Sequence, residues 1–393
     1  GHENGTNTVA HHNSVFRDLL KRIPWAEFER LVARTRADHR VRRLSTKDQL
    51  IALLFGQLSG ASSLREIVDG LGSHAPRLYH AGGRPVMRST LADANALRPA
   101  DVFAELFALM VARAGRGLRR SVGEAVHLID ATSLRLSGAG SEWARFSADA
   151  CGAKLHVVYD ADDERPIYAT VTAAKVNDIT PAKAMPIEAG ATYVFDLGYY
   201  DYGWWARLDA AGCRIVTRFK TNTPLTVTAE LPLPREAGNI LSDRVGHLPA
   251  RLRMSRRNPF ADPVREISVT LDTGKVLRIL TNDLDAPATE IAALYKRRWA
   301  IELFFRWVKQ TLKIRHFLGR SENAVRIQIA VALLAWLLLR MARDDQTTIS
   351  SPLAFARLVR TNLMHRKRTD ALLRPPKSPA TPSAQLAFEG FKC

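Results

Sequence analysis

The stretch "YKRRWAIELFFRWVKQ", Tyr295 to Gln310, sets one carboxylate, Glu302, among arginines and lysines. On an α-helix Tyr295, Arg298, Glu302, Arg306, Lys309 and Lys313 share one stripe. Leu294, Ile301, Leu303, Phe304, Phe305, Trp307 and Val308 lie outside it. The spacing predicts one helix, buried nearly all round, with a single polar strip open. Arg298–Glu302 and Glu302–Arg306 pairs are the plainer use of such a strip, and they contribute only tenths of a kcal/mol each. Yet a strip selected for pairing would balance its charges, and here Arg298, Arg306, Lys309 and Lys313 surround one acid. That excess suits a place where a metal and an anion meet. The carboxylate would hold the metal, and the cations with Tyr295 would hold phosphates.

One glutamate does not hold a hard divalent cation alone; such ions take several oxygens and favour two or more carboxylates. Asp130 follows the apolar run "AVHLI" and Asp196 follows "TYVF", each read at or near the end of a central strand. Either aspartate by itself reads equally as a turn or cap residue. Together with Glu302 they make a three-acid site for two metals. Two such ions about 4 Å apart activate a water or hydroxyl and stabilise the leaving oxygen in phosphoryl transfer. The competing acids have other expected uses. Asp160, Asp162 and Asp163 lie in the turn-like "DADDERP", Asp178 in "VNDITP" looks like a helix cap, and Asp201 caps the next helix.

The elements that must position these residues fall into blocks. Residues 14–118 read as an all-α N-terminal domain, with apolar positions three and four apart in "SVFRDLLKRI" and "AEFERLVARTR". "STKDQLIALLFGQLSG" is a helix capped at Ser45 or Thr46 and closed at Gly60. "SSLREIVDGLG" starts at Ser62 or Ser63, and "RSTLADANALRP" is capped by Ser89 or Thr90 and stopped at Pro99. Short helices with glycine turns suit a helix-turn-helix-like module or any small helical bundle. Near residue 120 the pattern turns to mixed α/β, running three strands, helix, strand, helix, strand over 119–221. Residues 222–285 read as a β-rich insertion, and 286–345 return to helix. Residues 1–13 read as a disordered leader whose His2, His11 and His12 are tail rather than metal ligands. Residues 346–393 read as a helix and then, from "HRKR" at 365–368, a basic disordered tail.

The chain of 393 residues carries 57 Lys+Arg against 39 Asp+Glu, a net charge of +18. That charge points to a polyanionic partner, most simply nucleic acid. Cys151, Cys213 and Cys393 are far apart and lack CxxC spacing, which argues against a structural zinc site or a disulfide framework. A reducing cytosol fits, and no signal peptide is read at the start. The apolar "IAVALLAWLLL", Ile329 to Leu339, has about half the length that spans a bilayer and reads as a buried core helix.

The spacing Tyr295-x2-Arg298-x3-Glu302-x6-Lys309 resembles the Tyr–Arg–Glu–Lys signature of the insertion-sequence-four family of DDE transposases. "DLGYYD", Asp196 to Asp201, resembles that family's second-acid motif, and "IDATSLRL" its first-acid strand. "SLREIVDGL" and "RSTLADANALR" are similar to a helical, DNA-binding domain that often precedes this catalytic domain. The resemblance spans about residues 14–345. It implies an RNase H-like catalytic domain interrupted by a β-rich insertion, for which the gap of 302 − 196 = 106 residues leaves room. It implies Asp130, Asp196 and Glu302 as ligands of two Mg²⁺ or Mn²⁺ ions, and Tyr295, Arg298 and Lys309 on phosphates near the cleaved end. The implied activity is hydrolysis at the 3′ ends of an insertion sequence and joining of the 3′-hydroxyls to target DNA. Double-stranded DNA and a homodimer that pairs two ends are the implied partners, with no membrane, in a bacterial cytoplasm at the nucleoid. Some relatives pass through a hairpin and flip a base onto an aromatic ring; Trp204, Trp205 and Phe260 are candidates for that ring, each with a core role as the alternative. A nuclease or resolvase on the same fold, and a domesticated binding protein without catalysis, are the other functions weighed.

Overall fold

The computed structural model describes residues 13–114, 125–136, 141–147, 150–233, 235–312 and 318–373. The N-terminal block is helical: α1 (Val15–Leu20), α2 (Trp25–Thr35), α3 (Thr46–Ser59), α4 (Leu64–Ser73), α5 (Ala75–Leu78), α6 (Arg88–Leu97) and α7 (Asp101–Ala114). Ser45 caps α3 in a reciprocal box with Asp48, and Gly60 closes it in the left-handed region at φ 79°. Ser63 caps α4, its hydroxyl accepting from the Glu66 N–H. α6 departs from expectation. It begins at Arg88, so Ser89 and Thr90 lie in its first turn and no side chain caps it. Its far end is as expected, because Arg98 before Pro99 is extended.

The mixed region comprises β1 (Val126–Leu136), β2 (Arg145–Ser147), β3 (Ala150–Asp160), β4 (Arg165–Ala173), α8 (Ile179–Ala184), β5 (Thr192–Val194), α9 (Tyr202–Ala210) and β6 (Arg214–Arg218). β7 (Thr226–Glu230), β8 (Ile240–His247), β9 (Val264–Thr270) and β10 (Val276–Thr281) follow. α10 (Ala288–Arg297), α11 (Trp299–Leu312), α12 (Glu322–Asp344) and α13 (Pro352–Asn362) complete the chain. The strands form one sheet of order β2-β3-β1-β5-β6-β10-β9-β8-β7, with β4 on the outer edge of β3. β1, β5 and β6 run parallel, and β3 lies antiparallel to β1. The β-rich region is therefore no separate body: β10 pairs antiparallel with β6 and extends the same sheet.

One face of the sheet packs on α10, α11 and α12, in a core that continues without a break into the N-terminal helices. The other face packs on α8 and α9 around Phe195, Tyr199, Trp204 and Trp205. α12 is 23 residues long and apolar enough to cross a membrane, yet 83% of its apolar window is buried within the fold. It lies against α3, α6, α7, α11 and α13. The expected run of half-span length thus belongs to a longer core helix. The segment from residue 365 also departs from expectation up to residue 373. The His365 and Leu363 carbonyls accept from the Val15 and Phe16 N–H groups, and Thr369 is bonded to Asp18. With Thr369 and Leu372 buried against α1, the basic segment is tied down by backbone pairing that composition does not reveal. Residues 1–12 and 374–393 lie outside the described ones.

Candidate active site

Strand register brings the two aspartates together. In the parallel ladder Leu128 pairs with Val194, and Val194 with Val216. Two residues further along each strand stand Asp130, Asp196 and Arg218. Side chains two apart on an extended chain return to the same face, so these three form a row across β1, β5 and β6. Asp196 keeps extended dihedrals (φ −101°, ψ −169°) and turns the chain, its Oδ1 accepting from the Gly198 N–H at 2.8 Å. Asp130 differs from the expected strand end. It sits inside β1 opposite Val157, because β1 continues along β3 after it has parted from β5.

The expected single helix over 295–313 is two. The Arg298 N–H donates to the Tyr295 carbonyl and the Ile301 N–H to the Arg298 carbonyl, both three residues back, so the helix tightens and turns at Arg298. The stripe is broken there, and its two halves are brought to the acids by different helices. Arg298 reaches Asp130 at 3.3 Å and Glu302 at 2.6 Å. Tyr295 is half-buried; burial raises its hydroxyl, and Arg298, Arg218 and Asp196 act on it in turn. Arg306 and Lys309 are exposed and make no ion pair with a described residue; Lys313 lies outside the described residues. Leu303, expected in the core, is 47% exposed, and Trp299 is 54% exposed. Four residues apart on α11, they lie side by side next to Arg306 on its open face.

Burial, first, and then Asp196 with Glu302 push Asp130 up to about 6, against the Ala131 N–H and Arg298, which pull it down. Tyr199 is fully buried with no hydrogen-bond partner for its hydroxyl; burial holds it far above its ordinary value, and Asp130, Asp178 and Asp196 add to this. The oxygen donors of Asp130, Asp196 and Glu302 suit a hard cation, which would relieve the repulsion that raises Asp130. They are not a preformed cage: among the described residues no three potential ligands stand together at metal distance. Arg298 lies between Asp130 and Glu302 and supplies the positive charge their neighbourhood needs.

Three neighbours escaped the sequence reading. Arg218 is visible only through strand register. Asp178 stands at the start of α8 but makes no side-chain cap; it pairs with Lys154 at 2.9 Å, and Lys154 also donates to the Val176 carbonyl. A Cβ on Gly198 would lie 3.1 Å from both Asp178 Oδ2 and Asp196 Oδ1, so glycine alone lets these two carboxylates face each other so closely. Asp201 does cap its helix, accepting from the Trp204 N–H at 2.8 Å. Trp204, Trp205 and Phe260 are core residues at 2%, 0% and 2% exposure.

A mixed sheet that aligns two aspartates, a helix whose glutamate shares an arginine with one of them, and a charge of +18 suit chemistry on a polyanion such as DNA. Residues 123–338 match the family described as transposase DDE domain, and residues 11–84 match a domain of unknown function, DUF4372. The putative transposase y4zB of Sinorhizobium fredii is 41% identical over 311 residues, 78% of this chain and 84% of that protein. The probable transposase for insertion sequence element IS5377 of Geobacillus stearothermophilus is 30% identical over 268 residues, 67% of this chain and 69% of that protein. A piggyBac transposase in a synaptic complex with hairpin DNA aligns over 89% of this chain and 78% of that one, with a TM-score of 0.45 and 13% identity. The chain belongs to the transposase DDE domain family.

Proposed function

We propose that this transposase cleaves the ends of an insertion sequence and joins their 3′-hydroxyls to target DNA, as a member of the insertion-sequence-four group. The row of Asp130 and Asp196 at one register, with Arg298 tying Asp130 to Glu302, carries this reading. The strand order β4-β3-β1-β5-β6, antiparallel then parallel, supports an RNase H-like catalytic unit interrupted after β6. Asp130, Asp196 and Glu302 would hold two Mg²⁺ or Mn²⁺ ions, which when bound would activate an oxygen nucleophile and stabilise the leaving oxygen. Tyr295, Arg298, Arg306, Lys309 and Lys313 are the groups that would contact phosphates of the bound DNA. Trp299, exposed beside Arg298, is the ring available to an extruded base, in place of the three buried candidates. The protein acts as a dimer that pairs two ends, at the nucleoid of a bacterial cytoplasm.

The experiment is cleavage and strand transfer on duplexes carrying the element's ends. Asp130→Asn and Glu302→Gln should keep DNA binding and lose cleavage in Mg²⁺. Cutting by either variant would sink the site. Cutting by the native chain without joining would make it a nuclease on the same frame.

A further inference from the structure

We propose that the hairpin spanning Pro249 to Pro259 is a second DNA-binding element, a basic finger that grips duplex DNA. It deepens the proposed function by adding a contact to the same substrate, and it rests on that reading only for the identity of the DNA.

The stretch "ARLRMSRRNP", Ala250 to Pro259, holds Arg251, Arg253, Arg256 and Arg257 and no acid. It is a closed structure. The Leu252 N–H donates to the Arg256 carbonyl at 2.7 Å, the Asn258 N–H to the Ala250 carbonyl at 2.9 Å, and Arg251 bridges to Arg257. Asn258, 3% exposed, locks the root: its Nδ2 donates to the Pro249 carbonyl and its Oδ1 accepts from the Phe260 N–H, both at 2.9 Å. Phe260 and Leu248 anchor that root in the core around Tyr199 and Trp204. The tip is strained. Met254 and Ser255 sit in the left-handed region at φ 62° and 57°, and Met254 is 90% exposed.

A fold has little use for an apolar side chain held in water on a backbone that costs about 1–3 kcal/mol. A groove-binding finger does use one, since Met is among the wedges inserted between base steps. The arginines are equally unspent. Arg214, Arg244, Arg265 and Arg278 of the neighbouring strands all pair with carboxylates, whereas Arg253, Arg256 and Arg257 are exposed and make no ion pair with a described residue. Guanidinium forks match phosphate oxygens in pairs. The hairpin's place within the transposase DDE domain favours DNA over an anionic membrane. A Cβ on Gly203 would lie 3.3 Å from Asp201 Oδ1 and 3.9 Å from Pro259 Cγ, so the finger's root rests on the start of α9, the helix that follows Asp196.

The test uses the full chain, its Arg253→Gln/Arg256→Gln/Arg257→Gln form, and Met254→Ser, with a random-sequence duplex titrated at several salt concentrations. Three lost phosphate contacts should flatten the slope of log K against log salt by about 2.7. Met254→Ser should weaken binding several-fold with the slope kept. A native chain that binds while the triple variant keeps its full slope overturns the finger and leaves the transposase reading standing. A native chain that does not bind duplex at all overturns both. Loss of binding to phosphatidylglycerol vesicles by the triple variant, with duplex binding unchanged, assigns the finger to a membrane and overturns the proposal.

Discussion

Asp130 is a weaker acid than an ordinary carboxyl because it is mostly withdrawn from water beside two other acids, and Arg298 compensates only in part. Raised from 3.8 to about 6, its carboxyl binds a proton more tightly folded than unfolded. It therefore weakens the fold as pH rises from about 4 to about 6, by at most about 3 kcal/mol. In chelating buffer at pH 7, Asp130→Asn should raise the unfolding free energy by about 1–3 kcal/mol, a gain that vanishes near pH 4. Urea unfolding at both pH values measures it. His156, buried and bonded to Thr172, acts oppositely: lowered from 6.5 to about 4, it stays neutral when folded and costs stability as pH falls through that window. The two trends offset in the native chain, so the Asn variant should expose the acid-side decline that the native protein conceals. At Gly198 the expectation is different. Its φ is ordinary, so alanine strains no backbone, but the added Cβ meets Asp178 and Asp196 at 3.1 Å. Gly198→Ala should lower the cleavage rate by about tenfold or more through misplaced carboxylates, with DNA affinity and melting temperature nearly unchanged. An unaltered rate would show that this approach has no bearing on the chemistry.

The elements matter because Glu302 is positioned only by how α11 is seated. Trp307 stacks edge-on against Trp336 of α12 at 4.5 Å, and Phe304 lies 5.2 Å from both Trp336 and Tyr159 of β3. These rings join the sheet, α11 and α12 into one unit, and the polar edge of α11 is turned to Asp130 as a result. Trp336→Ala should cost about 3–5 kcal/mol. Cleavage should fall further than the folded fraction does, because a loosened α11 carries Glu302 with it. Activity per folded molecule, taken from parallel unfolding and turnover assays, separates the two effects. The turn at Arg298 has its own consequence. It leaves Tyr295 on α10 and Glu302 on α11, with Arg298 between them in contact with both.

At the scale of the whole molecule, the N-terminal helices are not autonomous. α3, α6 and α7 pack on α12, and α1 pairs by backbone with the segment after α13, so α1 and residues 363–373 close one core. A fragment of residues 13–114 leaves Leu50, Leu53, Leu54 and Phe103 without that cover. It should lack a cooperative urea transition, whereas the full chain should lose the signals of helices and sheet together. A fragment that melts sharply on its own would contradict the shared core. The charge of +18 acts at this scale too, drawing DNA to the surface before any specific contact forms.

The residue types at Asp130, Asp196 and Glu302, the cationic excess beside Glu302, the caps at Ser45 and Ser63 and the order of elements were legible in the sequence. They depend on local spacing and on what each side chain can do chemically. The alignment of Arg218 with the two aspartates, the approach of Asp178 across Gly198 and the turn of the helix at Arg298 were not legible. Nor were the exposure of Trp299 and Leu303 and the docking of residues 363–373. Most of these depend on strand register or on contacts between segments distant along the chain, and those are selected by packing the whole core at once. A chain read one segment at a time holds the chemistry of its side chains, whereas their mutual distances exist only after the sheet and its helices have closed on each other.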